Sequence, residues 1–270
     1  MFSPYYAAAR RRGATDPENY CALNVALYGK RKRWAMTERG RRWMARDATS
    51  FVIGPSALVW DNDALLLEID ETTVPFPSRI RGSVRVHPRA ITGHAYPLDG
   101  GRAHHWWPIA PTARIEVELQ SPALCWQGEG YLDSNFGNLP LEDTFVRWDW
   151  SRAPLRDGTA VLYDVTCRDG SERALALRFD ADGRTEEIAS PPMVPLKATR
   201  WRVPRNTRAD RKNAAVIKTL EDAPFYARSL VSTHLAGEST IAMHESLSLD
   251  RFANRVVQLM LPFRMPRASR

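Results

Sequence analysis

The alternation of apolar and polar side chains is the feature that most restricts the fold of this chain. The segment "ARIEVELQ" (113–120) places an apolar residue at every second position, with charged or amide residues between them. Because successive side chains of a strand point to opposite faces, this period predicts a half-buried antiparallel strand. The same period recurs in other segments, namely "IRGSVRVHP", "TFVRWDW", "AVLYDVTCR", "ALALRFD", "TRWRVP" and "TIAMHESLSL". Many short strands predict an all-β sandwich or barrel.

Turn-forming residues separate these predicted strands, and the helical segments between them are short. "DGG" at 99–101, "ADG" at 181–183 and similar strings are typical of turns. Candidate helices are 37–46 and, near the end of the chain, 221–230 or 251–260.

The chain length and one interruption of the strand pattern predict two domains. A chain of 270 residues can form two modest domains. "SRAPLRDG" breaks the strand pattern near residue 151. We therefore expect two barrel-like β domains at 1–152 and 153–270.

Composition places the chain among globular proteins of a reducing compartment. Hydrophobic residues make up 44% and include nine tryptophans, which is enough for a buried core. The three cysteines have no C-x-x-C spacing and cannot form a disulfide framework. The N-terminal "MFSPYYAAARRR" lacks the apolar region of a secretory signal, and no segment has the roughly 18 apolar residues of a membrane span. We expect a cytoplasmic protein.

The net charge of +7 is concentrated near the N-terminus. Residues 1–50 contain 11 Lys and Arg against four acids, which accounts for the whole surplus. Such a basic region suits anionic lipid headgroups, nucleic acid, or simply solvent. Because no helix-turn-helix, zinc finger or RNP string is present, we do not expect a nucleic-acid partner.

Two polar stretches are candidates for one site. In an extended "AHHWWPIAP" (103–111), His104 and Trp106 share one face, and Pro108 and Pro111 are expected to end the strand.

The second stretch is "GEGYLDSNFG" (128–137), in which Tyr131 and Asp133 share a face. The two pairs would bring together an imidazole, an indole, a phenol and a carboxylic acid. An ordinary turn opened by an Asp before Ser-Asn explains Asp133 as well.

Common catalytic motifs are missing around these residues. Ser134 is the nearest hydroxyl, but no G-x-S-x-G surrounds it, and neither phosphate-loop spacing nor a metal-binding motif is found. The remaining chemistry is acid–base catalysis without a metal.

Several long strings identify a resemblance to a known family. "SPYYAAARRRGATDPENYCALNVALYG", "RWAMTERG", "HHWWPIAPTARIEVEL" and "GEGYLDSNFGNLPLEDTFVRWDWSRA" resemble the carotenoid 1,2-hydratases of phototrophic bacteria, once called hydroxyneurosporene synthases. The resemblance implies two lipocalin-like β-barrel domains with a few short helices. It implies a cofactor-free hydro-lyase that adds water to the terminal 1,2 double bond of acyclic carotenoids such as neurosporene and lycopene. The products feed spheroidene or spirilloxanthin pathways.

The resemblance also implies the site residues. The family's His-x-Trp and Tyr-x-Asp pairs fall on His104, Trp106, Tyr131 and Asp133, the positions that strand parity selects. The predicted N-terminal domain, 1–152, would carry this site. Relatives begin with a further strand-bearing segment upstream of "SPYYA", so we expect either an abbreviated N-terminus or a misassigned start. A missing strand would leave a sheet edge unpaired.

Hydration of an alkene requires an acid first, and we assign that role to Asp133, with Glu129 in reserve. An apolar environment would keep the Asp133 proton in place. Trp106 would present a π face to the carbocation, while Tyr131 or His104 would orient the water and accept its proton.

The hydrocarbon substrate implies further contacts. We expect it to be bound by aromatic residues, namely Trp126, Phe136 and Trp148. The basic N-terminal region would dock on the anionic surface of the inner, photosynthetic membrane.

Two other functions remain open at this point. A lipocalin-like protein of this fold can bind a hydrophobic ligand without reacting, and similar two-barrel proteins include pericyclases that catalyse Diels–Alder reactions. The Tyr131 and Asp133 pair favours an enzyme over a carrier, and the long matching strings favour the hydratase.

Overall fold

The computed structural model describes residues 2–268. Met1, Ser269 and Arg270, which include the outer ends of the two predicted domains, lie outside the described residues. The fold divides into two compact units that interleave along the sequence. The first unit contains residues up to Pro88, Ala113–Gly130 and residues from Gln258 onward; the second contains Arg89–Thr112 and Tyr131–Val257.

The first unit contains the first helix and the first seven strands of the chain. These are α1 (Pro4–Arg10), β1 (Cys21–Leu27), β2 (Arg33–Arg39), β3 (Met44–Arg46), β4 (Ser50–Ile53), β5 (Ser56–Asp61), β6 (Ala64–Thr72) and β7 (Arg79–Pro88). Strands β1 and β2 form a two-stranded sheet, and β3 to β7 pair in sequence order. Residues 113–121 of the next long strand pair with β7.

The core of the first unit follows from the alternation seen in the sequence. Val117 and Leu119 are buried while Glu118 between them is exposed, as a half-buried strand requires. They pack with Ile69 and Ile80 in one apolar cluster.

Most of the remaining elements belong to the second unit. They are β8 (Tyr96–Pro97), β9 (His104–Ser121), β10 (Leu124–Gly137), α2 (Leu141–Thr144), β11 (Phe145–Leu155), β12 (Gly158–Cys167), β13 (Glu172–Phe179), β14 (Thr185–Glu187), β15 (Met193–Leu196), β16 (Arg205–Arg208), β17 (Ala214–Asp222), β18 (Tyr226–Leu235), β19 (Glu238–Ser248), α3 (Leu249–Ala253) and α4 (Arg255–Met260). Strands β9 and β10 contribute residues to both units, as does α4.

A seven-stranded antiparallel sheet organises the second unit. Its order is β14-β13-β12-β11-β19-β18-β17, and β15 pairs with β16 in a separate hairpin. The last long strand, β19, lies between β11 and β18. This arrangement brings β11 next to a strand that lies far from it in sequence.

The all-β prediction with a few short helices is confirmed. Across residues 2–268 the strand pairings form open paths rather than closed rings. In the same part of the chain, no helix has the length and apolar character needed to cross a membrane. The predicted domain boundary at 152/153 falls within β11 (Phe145–Leu155) and stays a prediction.

The predicted helix at 37–46 is wrong, and of the two alternatives near the end, 221–230 or 251–260, only the second is helical. Residues 37–46 contain the end of β2, a 3₁₀ turn at Arg41–Trp43 and β3, and residues 221–230 contain the end of β17 and the start of β18. In both places pairing with neighbouring strands overrides the local apolar spacing. The third segment does form the short helices α3 and α4.

The expectation that two prolines end the strand after "HHWW" is also wrong, because β9 continues through Pro108 and Pro111. A proline in a strand loses its N–H donor but keeps its carbonyl acceptor. Thr92 Oγ1 donates to the carbonyl of Pro108 at 2.5 Å, and Arg152 donates to that of Pro111 at 3.4 Å.

Candidate active site

Strand β9 presents the first pair of predicted site residues on its buried face. His104 and Trp106 are buried, whereas His105 and Trp107 are only partly so. Asp99 fixes the start of this strand, because its carboxylate accepts the backbone N–H of His104 at 2.7 Å.

Trp106, Tyr131 and Asp133 meet in a triangle of hydrogen bonds within the second unit. The indole N–H of Trp106 donates to Asp133 Oδ2 at 2.8 Å and lies 3.2 Å from Tyr131 Oη. The phenol of Tyr131 donates to the same Oδ2 atom at 3.0 Å. Within the described residues, no hydrogen bond reaches Asp133 Oδ1. One carboxyl oxygen is therefore held by two donors while the other is not engaged.

The surroundings of the triangle favour the protonated form of the acid. Burial raises the pKa of Asp133 above its usual value, against the opposing effect of the hydrogen bonds from Trp106 and Tyr131. Burial also raises the pKa of Tyr131 well above 10, so its phenol stays a donor at neutral pH. Asp133 is partly accessible to solvent.

Aromatic rings enclose this triangle. The ring centroids of Tyr96 and Tyr163 lie 5.8 Å and 5.7 Å from that of Trp106. The indole of Trp150 lies 5.5 Å from the Tyr131 ring. Trp106 itself is fully buried, so its ring is covered by neighbours and its N–H is the group directed at Asp133.

His104 lies on the same face of β9 but has other partners. Its Nε2 is 3.1 Å from Thr144 Oγ1, and its ring packs 4.9 Å from Phe145. Burial lowers its pKa, which favours a neutral imidazole. A Cβ atom at Gly137 would stand 2.5 Å from His104 Nδ1, so only glycine fits beside this ring. In the described part of the chain, no hydrogen bond joins His104 to Asp133.

The predicted substrate-binding aromatics are differently placed. The ring of Trp148 lies 6.2 Å from that of Tyr163, beside the triangle. Phe136 is 48% exposed and stacks on His105 at 5.3 Å. Trp126 is 45% exposed and belongs to the first unit. The reserve acid Glu129 is exposed and belongs to that unit as well.

Sequence reasoning missed Tyr96, Tyr163 and Trp150 as neighbours of the site. The parity of "VRWDW" did contain a signal, because it places Trp150 on the same strand face as Trp148. The other two residues are revealed only by tertiary packing. Residues 2–268 contain no group of three or more His, Cys, Asp or Glu side chains that could hold a metal ion.

Comparison with known proteins identifies the family. A model of the family described as carotenoid hydratase CrtC matches residues 1–270. The chain is 58% identical to an acyclic carotenoid 1,2-hydratase of Thiocapsa roseopersicina, over all of this chain and 67% of that protein. It is 52% identical to the enzyme of the same name from Rubrivivax gelatinosus, over all of this chain and 68% of that protein. Identity to the Rhodobacter capsulatus enzyme is 42%, over all of this chain and 95% of the relative.

A solved structure supports the fold. The crystal structure described as an AttH from Nitrosomonas europaea is similar with a TM-score of 0.63 and 14% identity, over 88% of this chain and 83% of that one. At this identity the similarity shows the fold alone. The family model and the three relatives show that this chain belongs to the carotenoid hydratase CrtC family.

Proposed function

We propose that this protein is a carotenoid 1,2-hydratase, which adds water to the terminal 1,2 double bond of acyclic carotenoids such as neurosporene and lycopene. The product is a tertiary 1-hydroxy carotenoid. Beyond family membership, one observation carries the proposal: Trp106 and Tyr131 both donate to Asp133 Oδ2, while Oδ1 is unengaged. This arrangement suits a carboxylic acid that delivers a proton.

The first step is proton transfer from Asp133 to C2 of the substrate. Because Oδ2 accepts two hydrogen bonds, the acidic proton resides on Oδ1. The π electrons of the alkene form the new C–H bond at C2, and C1 becomes a tertiary carbocation. An alkene has no lone pair, so the acid must stand directly against the carbon.

Trp106 and Tyr131 stabilise the carboxylate that this step creates. Hydrogen bonds to an ionised acceptor are roughly twice as strong as neutral ones, so both strengthen as the proton leaves. They are thus stronger in the transition state than in the ground state, which is the condition for catalysis. In this proposal the indole of Trp106 acts as a donor rather than as a π face for the cation.

The second step is capture of the cation by water. Water adds to C1 and then loses a proton, so alkene and water supply every atom of the product and no cofactor takes part. Within the second unit, the exposed Phe136 and Trp148 beside the triangle would bind the hydrocarbon. The role of Trp126, which belongs to the first unit, stays a prediction from the sequence. His104, on the same face of β9 as Trp106, would help to position that strand face at the site.

The substrate is insoluble in water, so we include peripheral contact with an anionic membrane on the cytoplasmic side. The basic clusters at 10–12 and 30–32 are largely exposed in the first unit. By contrast, Arg41 and Arg46 pair with Glu18 at 2.6 Å and 2.9 Å. Each exposed Lys or Arg near an anionic surface contributes about 1 kcal/mol.

Expression in a host that accumulates lycopene or neurosporene tests the proposed function. We expect pigment analysis to show a tertiary 1-hydroxy carotenoid, with oxygen derived from ¹⁸O-labelled water. Unchanged pigments in cells that contain folded protein would contradict the proposal. Oxygen derived from dioxygen would contradict it equally.

A further inference from the structure

A second carboxyl group, Glu245, stands on the same sheet face as the proposed acid's aromatic neighbours. Glu245 of β19 lies directly opposite Trp150 of β11. Side chains directly opposite each other in an antiparallel pair point to the same face, about 5 Å apart at Cβ. The Trp150 indole in turn packs 5.5 Å from the Tyr131 ring. The Trp150 side chain thus lies between Glu245 and the Trp106–Tyr131–Asp133 triangle.

The next strand supplies a counterion. Arg228 of β18 lies opposite Glu245 on the other side. Its Nε and Nη2 atoms both bond Glu245 Oε1, at 2.9 Å and 2.7 Å. Within residues 2–268, no hydrogen bond reaches Oε2. The side chain is 23% exposed, so this free oxygen has room for a water molecule.

We propose that Glu245 is the base that accepts the proton of the attacking water. This inference rests on the proposed function. The two carboxyl groups have contrasting partners, since neutral indole and phenol donors hold Asp133 and a guanidinium holds Glu245. A carboxyl group held by neutral donors and a second one held by a cation suit the two halves of acid–base catalysis.

The geometry favours Glu245 over the two bases that the sequence suggests. The Tyr131 hydroxyl already donates to Asp133, and its pKa is raised well above 10 by burial. The His104 ring is directed to Thr144 and Phe145. Glu245, by contrast, is held by a guanidinium through Oε1, and within residues 2–268 no hydrogen bond reaches its Oε2.

The proposed step balances in atoms and charge. Water oxygen donates a lone pair to C1 of the cation and forms the C–O bond. One O–H bond of the resulting oxonium breaks, and Glu245 Oε2 takes that proton. A proton then returns to Asp133 through water, so each turnover consumes one alkene and one water.

Glu245→Gln in the full chain tests this role, with hydration and hydrogen exchange measured together in D₂O. Loss of a general base lowers turnover by about 100-fold. Protonation by Asp133 is still possible, so the cation returns to alkene by losing a C2 hydrogen. We therefore expect recovered substrate to carry deuterium at C2 while hydration is lost.

Glu221→Gln is the matched control. Glu221 of β17 is a second carboxylate near Arg228, at 3.8 Å, and we expect this variant to hydrate within about threefold of wild type. Glu245→Ala with added formate is an independent route, because formate supplies the missing carboxylate and should restore turnover by about tenfold or more.

Several outcomes overturn the inference. These are hydration by E245Q at close to the wild-type rate, loss of exchange together with hydration, or no formate rescue of folded E245A. If wild type itself neither hydrates nor exchanges, the proposed function fails instead, so the two failures are distinguishable.

Discussion

Two carboxyl groups of the second unit, Asp133 and Asp149, make an informative comparison. Burial raises the pKa of both, and that of Asp149 reaches about 6. Asp149 lies one residue before Trp150 on β11, so it points to the opposite face of the seven-stranded sheet. The two groups therefore share a perturbed pKa but not an environment.

The direct contacts of Asp149 are polar and come partly from the β15–β16 hairpin. Asp149 Oδ1 accepts the backbone N–H of Asn206 at 3.2 Å and the hydroxyl of Ser246. His244 on the same face directs Nε2 to the carbonyl of Asn206 at 2.7 Å. The Asp149 carboxyl group is thus held by backbone and hydroxyl donors, with no aromatic ring among these contacts.

The face of Asp133 is lined by aromatic rings instead. Trp106 and Tyr131 hold one oxygen, and Trp150 and Tyr163 pack around them. A raised pKa alone thus does not identify a catalytic acid. The accessible aromatic environment distinguishes Asp133.

The largest expected effect is on hydration activity, which should depend on Asp133 and not on Asp149. Asp133→Asn removes the acid while keeping its shape, so we expect hydration to fall by about 10³-fold with an unchanged melting temperature. Asp149→Asn should hydrate at close to the wild-type rate. Pigment analysis measures both variants. Equal losses of hydration in the two would contradict the assignment of Asp133, rather than Asp149, as the catalytic acid.

The next largest effect is on the pH dependence of stability, and it is expected from Asp149→Asn. The pKa of Asp149 is raised from 3.8 to about 6 in the folded protein, so the protonated carboxyl group stabilises the fold. This contribution to the free energy of unfolding is complete below pH 3.8 and is lost as the pH rises through 6. An asparagine at this position does not titrate and has no such loss. The unfolding free energy of D149N minus that of wild type should therefore grow by about 2 kcal/mol between about pH 4 and pH 7. Denaturant titrations at both pH values measure it, and a constant difference would contradict the raised pKa.

A smaller effect is expected from one donor of the triangle. Tyr131→Phe removes a hydrogen bond to the carboxylate, which lowers turnover by about tenfold. The lost donor also raises the pKa of Asp133 further, because Tyr131 opposes the effect of burial. Since the protonated acid is active, the fall of activity with rising pH should move to higher pH in Y131F. A shift to lower pH would show that a group other than Asp133 controls the fall of activity with rising pH.

The smallest effect tests the reserve acid. Glu129 is exposed in the first unit, so Glu129→Gln should leave hydration close to the wild-type rate. A loss comparable with that of D133N would transfer the acid role to Glu129.

Local patterns predicted the parts of this molecule that depend on strand parity. His104 and Trp106 on one face of β9, and Tyr131 and Asp133 on one face of β10, follow from a period of two. The helix expected at 37–46 is wrong, and so is the alternative at 221–230, because short apolar spacings fit either element until a partner strand is known.

Glu245 could not be found this way. Its proximity to the triangle depends on the β11–β19 register, which pairs residues 150 and 245. No local pattern fixes a pairing over that separation. The continuation of β9 through Pro108 and Pro111 depends likewise on acceptor contacts with Thr92 and Arg152.

Infrared difference spectroscopy on adding substrate tests the central comparison most directly. The experiment is done below about pH 6, where Asp149 is protonated in the folded protein, and the carboxyl C=O bands of the two groups are assigned by their loss in Asp133→Asn and Asp149→Asn. We predict that substrate shifts the Asp133 band and leaves the Asp149 band unchanged, because the proposed first step places Asp133, and not Asp149, against the alkene. A shifted Asp149 band, or an Asp133 band indifferent to substrate, would contradict the account.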